Sequence, residues 1–88
     1  MSEFIKLHFS IVTGSVDLES IKITDTFYEI KRKLGEKKNN TAWYYYKFIY
    51  ICFGGPYILE DDMTIEEFNS LGNARILNKC SIQVLWKP

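Results

Sequence analysis

The stretch from Lys47 to Phe68, KFIYICFGGPYILEDDMTIEEF, restricts the fold more than any other part of the chain. After Lys47 its first residues, Phe48 to Phe53, are apolar, mostly aromatic or β-branched, and few enough for a strand rather than a helix. Ile49, Ile51 and Phe53 share one face of that strand, and Phe48, Tyr50 and Cys52 share the other. Both faces are apolar, as in a central strand or one with an exposed adhesive face. The expected orientation turns Ile51 and Phe53 toward the core and Tyr50 and Cys52 outward. Gly54-Gly55-Pro56 then reads as a turn, because proline brings no amide to a ladder and the glycines supply conformational freedom. Tyr57-Ile58-Leu59 reads as a very short strand and Glu60-Asp61-Asp62 as a surface turn. Thr64 and Glu67 have the S/T-x-x-E spacing of a capping box, opening a helical turn that buries Ile65 and Phe68.

The rest of the chain supplies partners for this stretch. From Phe4 to Val12, Ile5, Leu7, Phe9 and Ile11 alternate with polar residues, which predicts a strand. Thr13-Gly14-Ser15 is a turn signal. Val16, Leu18, Ile21 and Ile23 form a second alternating run that slips by one residue near Glu19-Ser20, where a β-bulge would keep all four on one face. A helix is expected from Thr26 to about Leu34, with a capping box at Thr26 and Glu29 and with Phe27, Ile30 and Leu34 on one face. Gly35 reads as its C′ residue, and Lys31, Arg32 and Lys33 suit the negative end of the helix dipole better than they suit a nucleic-acid patch. Glu36 to Thr41 is a polar loop. Ala42 to Tyr46 fits either one helical turn or the start of the next strand, and the favoured reading is an irregular or single-turn segment. Asn69 to Lys79 is a longer loop with Leu71, Ile76 and Leu77 as anchors, and Ser81 to Trp86 is a last strand suited to a central place beside the first. The resulting fold class is α+β, with a mixed sheet of four to five strands and one main helix packed across it.

Composition bounds the function. The 88 residues suffice for one domain, 1–88, and the 47% hydrophobic content argues against disorder. Eleven basic residues balance eleven acidic ones, which argues against nucleic acid or an anionic membrane as partner. Cys52 and Cys80 are too few for a disulfide scaffold and lack metal-ligand spacing. His8, the only histidine, lies within an alternating strand, and Glu60-Asp61-Asp62 are three consecutive side chains that do not converge. No cofactor, metal site or enzymatic activity is therefore expected. No apolar run reaches the ~18 residues of a membrane span, and the opening MSEFIKLHF lacks a signal-peptide core. A cytoplasmic or nuclear location is the expectation.

Several of these segments together resemble ubiquitin and its ubiquitin-like relatives over nearly the whole chain. Asp25 to Leu34, DTFYEIKRKL, looks like the family's first-helix segment. Ile51-Cys52-Phe53-Gly54-Gly55 followed by Leu59 to Phe68, LEDDMTIEEF, looks like its third strand, glycine turn and "LEDxxTLxxY" segment, with Phe68 where ubiquitin has tyrosine. The opening IKLHF is similar to the first strand of the SUMO branch. The resemblance implies a β-grasp fold and a role in being recognised by other proteins. Conjugated members end, after processing, in Gly-Gly, whereas this chain ends in Leu85-Trp86-Lys87-Pro88. The expected function is accordingly a non-conjugated protein–protein interaction domain, an adaptor or docking module in a ubiquitin-type or regulatory complex. Its alternatives are a modifier whose Gly-Gly tail is absent from this chain, or a β-grasp domain that binds a small GTPase or RNA. For RNA the candidates are Lys37, Lys38, Lys47 and the tyrosines.

Carried over by position, the apolar recognition patch of ubiquitin falls on Val12, Tyr50, Cys52, Gln83 and Leu85. Tyr50 and Tyr44-Tyr45-Tyr46 would equally serve to cover the long loop. A SUMO-like groove between the helix and the second strand, which takes an extended peptide as an added strand, would be flanked by Lys22, Lys31 and Lys33. Protein partners, among them ubiquitin-pathway components, are the expected class, with the oligomeric state left open.

Overall fold

In a computed structural model, which describes residues 4–12, 14–52, 55–72 and 74–86, the N-terminal alternation forms a hairpin. β1 (Phe4–Ile11) pairs antiparallel with β2 (Gly14–Lys22). Ile5 stands opposite Ile21 and Leu7 opposite Leu18, so Glu19 and Ser20 together face Lys6. This is the bulge that the slipped alternation requires, and it returns Leu18 and Ile21 to the same buried face. Ile23, expected on that face too, lies beyond the strand and is partly exposed.

α1 (Phe27–Lys38) starts at Thr26, whose hydroxyl accepts from the Glu29 amide while the Glu29 carboxylate accepts from the Thr26 amide. Phe27, Ile30 and Leu34 are fully buried along its sheet-facing side. The helix runs four residues past the expected end at Leu34. Gly35 is not its C′ residue. It lies inside the helix, where the missing side chain leaves room for the Trp43 ring. Asn39 ends the helix instead, in the left-handed conformation at φ 58°.

A single 3-10 turn, Trp43–Tyr45, leads into β3 (Tyr46–Cys52), in keeping with the single-turn reading of that segment. β3 pairs antiparallel with β4 (Gly55–Leu59). Phe53 and Gly54, and with them the expected core position of Phe53, lie outside the described residues, as does Thr13. α2 (Ile65–Ser70) carries the second capping box, Thr64 with Glu67. The two helix starts are joined, since Thr26 and Thr64 form a β-bridge and the Phe27 and Tyr28 amides donate to the Met63 and Asp61 carbonyls. Amides that a helix N-terminus leaves without intrahelical partners are thereby satisfied.

β5 (Cys80–Trp86) enters the middle of the sheet, parallel to β1 and antiparallel to β3. The sheet order is β2-β1-β5-β3-β4. The architecture is thus α+β, a five-stranded mixed sheet with one main helix across one face. The core lies between them and includes Leu7, Phe9, Phe48, Ile82 and Val84 from the sheet and Ile65 and Phe68 from α2. The Phe9 and Phe48 rings meet at 5.1 Å across β5. Of the three anchors expected in the long loop only Ile76 is buried, clamped by Asn69, which donates to its carbonyl and accepts from its amide.

Candidate interaction face

The uncovered face of the sheet is set by the phase of β3. Tyr46 and Phe48 are buried and Tyr50 packs against the core, so these three point toward α1 and α2. Lys47, Ile49 and Ile51 therefore point outward, and Ile51 is 61% exposed. This reverses the expected orientation, in which Ile51 faced the core and Tyr50 and Cys52 faced solvent. The Tyr50 hydroxyl donates to the Arg75 carbonyl at 2.8 Å and lies 3.6 Å from the Cys80 sulfur, and its ring meets Phe68 edge-on. Burial, followed by the contact with Cys80 and the nearby Cys80 and Cys52 thiols, pushes the Tyr50 hydroxyl up to about 12. Cys52 is in phase with Tyr50 and half-buried. Where both faces of a strand are apolar, alternation alone cannot choose between them. The available signal was Lys47, a charge that belongs on the solvent side and is in phase with Ile49 and Ile51.

Gln83 and Leu85 do lie outward on β5, opposite Ile49 and Lys47 respectively. β4 contributes Ile58, 56% exposed and paired with Ile49, and Pro56, paired with Ile51. Ile49, Ile51, Ile58 and Leu85 thus form an apolar surface over β5, β3 and β4, with a depression of about 250 Å3 between Ser10, Ile51, Ser81 and Gln83. The same face over β1 and β2 is polar. There His8 meets Asp17 at 2.6 Å, and Lys6 lies 3.6 Å from Asp17 and 4.0 Å from Glu19. The hydrogen bond from His8, helped by Lys6, holds the Asp17 carboxyl below its ordinary value. Val12 is 94% exposed and does not join this surface; it borders a cleft at the far end of α1.

The three lysines of the second expected site are divided. Lys31 and Lys33 are two residues apart on a helix, hence about 200° apart around its axis. Lys33 faces β2 and lines a cleft of about 360 Å3 with Lys37 and Leu18 to Ile21. Its ammonium donates to the Ser20 carbonyl at 3.0 Å and to Asp25 at 2.8 Å. Burial raises the Asp25 carboxyl, but Lys33 and the Lys22 amide outweigh it and hold the group low. Lys31 is on the opposite side, its side chain 7% exposed and paired with Asp61 at 2.7 Å. Lys22 lies over the Phe4 ring, 5.6 Å from its centre.

Both sheet edges are blunted against strand addition. The β2 edge is interrupted by the bulge at Glu19-Ser20 and by Lys33 on the Ser20 carbonyl. The β4 edge is five residues long and contains Pro56, which has no amide to donate. The open face thus exposes side chains, while the edges expose little regular backbone for an added strand. Among the described residues, no group of three or more His, Cys, Asp and Glu could hold a metal, and no helix is long and apolar enough to cross a membrane. Compared with known proteins, the chain matches no family model and no curated protein sequence.

Proposed function

We propose that this chain is a ubiquitin-like, β-grasp protein–protein interaction module that is not itself conjugated, and that it works as an adaptor or docking unit in a ubiquitin-type or regulatory complex. A parallel pair of first and last strands at the sheet centre, with one main helix across it, is compatible with that fold. The observation that carries the function is the outward apolar surface of Ile49, Ile51, Ile58 and Leu85. Fully burying an isoleucine stabilises by about 1.5–3 kcal/mol. Covering the exposed halves of Ile51 and Ile58 would therefore contribute about 1 kcal/mol each, enough for these residues to act as the centre of an interface.

The RNA reading is disfavoured by charge. Tyr44, Tyr45 and Lys47 share a cleft of about 580 Å3 with the Lys31–Asp61 pair and with Glu60 and Asp62, whose carboxylates would repel a phosphate backbone. Affinity capture with wild type, Ile51→Asp and Leu85→Asp tests the proposal. A common set of proteins, ubiquitin-pathway components among them, is expected to be retained by wild type and lost by both variants. Identical sets from all three baits would refute it. Recovery of the chain in isopeptide linkage to other proteins under denaturing conditions would favour the modifier reading instead.

A further inference from the structure

Among the described residues, the inner side of the sheet is left uncovered at one end. α1 stops at Lys38, but β1 and β5 continue. Ile11, Val84 and Trp86 therefore join Tyr46, Asn40 and Lys38 around a mostly apolar cleft of about 480 Å3. Its walls are held in place. The Trp86 indole N–H donates to the Ala42 carbonyl at 3.2 Å, and Val84 and Tyr46 are buried.

The polar side chains at this cleft include free donors. Asn40 Nδ2 donates to the Tyr46 hydroxyl oxygen at 3.0 Å, and Asn40 Oδ1 accepts from the Ala42 amide at 3.0 Å. Tyr46 is only 4% exposed, yet its own hydroxyl proton meets no acceptor among the described residues. A buried donor in that position is one a ligand would satisfy. Lys38 adds a cation that makes no ion pair among the described residues, and no aspartate or glutamate lines the cleft. Lys37 and Lys38 also offset the negative partial charge of the α1 C-terminus. Apolar walls with a few converging polar groups, in a volume of about 300–1,000 Å3, are the usual form of a small-molecule site.

We propose that this cleft binds a small amphipathic carboxylate. Its apolar body lies against Ile11, Val84 and Trp86, and its carboxylate accepts from the Tyr46 hydroxyl and pairs with Lys38. The site is on the opposite side of the sheet from the interaction face and does not depend on it.

Amide-correlation NMR of the whole chain tests this with three probes of equal chain length: octanoate, octanol and octyltrimethylammonium. Octanoate is expected to shift the Trp86 indole N–H and the Ile11 and Val84 amides saturably. Octanol should bind about tenfold more weakly, the scale set by losing a hydrogen bond to a charged group, and the cation should leave these signals unmoved. Tyr46→Phe keeps the ring and removes only the hydroxyl. With its fold verified by signal dispersion, it should weaken octanoate about tenfold and leave octanol unchanged. Lys38→Gln, a substitution at the helix end, should weaken octanoate several-fold. Absence of a saturable shift, equal affinity for octanoate and octanol, or unchanged octanoate binding by Tyr46→Phe would overturn the assignment.

Discussion

Tyr50 links the long loop to the sheet through a single hydroxyl, and its titration reports that link. The folded state holds the proton to about pH 12, whereas an unfolded chain releases it near 10. The tyrosine's contribution is therefore complete below pH 10 and is lost as pH rises from 10 to 12. At pH 8, Tyr50→Phe should lower stability by about 1 kcal/mol, the usual net worth of a hydrogen bond. The gap between wild type and variant should close between pH 10 and 12, as read from urea midpoints at each pH. Gly35 makes the opposite kind of prediction. Glycine to alanine inside a helix ordinarily stabilises by about 0.5–1 kcal/mol, but here the new carbon would stand 2.6 Å from Trp43 Cγ and closer still to its Cβ. Overpacking of this kind costs about 1–3 kcal/mol, so Gly35→Ala should destabilise on balance. A rise in the urea midpoint would show that Trp43 moves aside freely.

At the scale of elements, the two capping boxes make the clearest claim. Thr26 and Thr64 each satisfy an amide of their own helix, and the two caps are joined by a β-bridge. Thr26→Ala and Thr64→Ala should each cost about 1 kcal/mol. Because the caps are in contact, the double variant should depart from the sum of the singles by about 0.5 kcal/mol or more. Equilibrium unfolding of the three variants checks both statements. These caps, the N-terminal bulge and the central place of the last strand were legible in the sequence because each rests on local spacing or on alternation with a polar face. The phase of β3 was legible only through Lys47, since Phe48 to Cys52 are apolar on both sides, and the contacts that fix it are distant in sequence: Phe9, Phe68 and the Arg75 carbonyl. The three lysines of the expected groove, Lys22, Lys31 and Lys33, do not come together, for a geometric reason. A SUMO-like groove needs Lys31 and Lys33 on one side of the helix, whereas the helix turns one toward Asp61 and the other toward β2. Gly35 read as a helix stop because glycine commonly is one, and the Trp43 ring that explains it comes eight residues later.

For the whole molecule, the decisive fact is that helix covers one sheet face while, among the described residues, the other is left open, with its apolar half over β5, β3 and β4 and its ion-paired half over β1 and β2. With both edges blunted, binding through the open face should be insensitive to Lys33→Ala and sensitive to Ile51→Asp. The latter removes apolar contact and introduces a carboxylate without a partner, so affinity should fall at least tenfold. The most direct measurement of the interaction claim is to map, by amide-correlation NMR, which signals of the labelled chain change when a captured partner is titrated in. The expected changes centre on Ile49, Ile51, Ile58, Gln83 and Leu85. Changes centred instead on Ser20, Ile21 and Lys33, with the outward strands unaffected, would contradict the assignment of the open face as the binding surface.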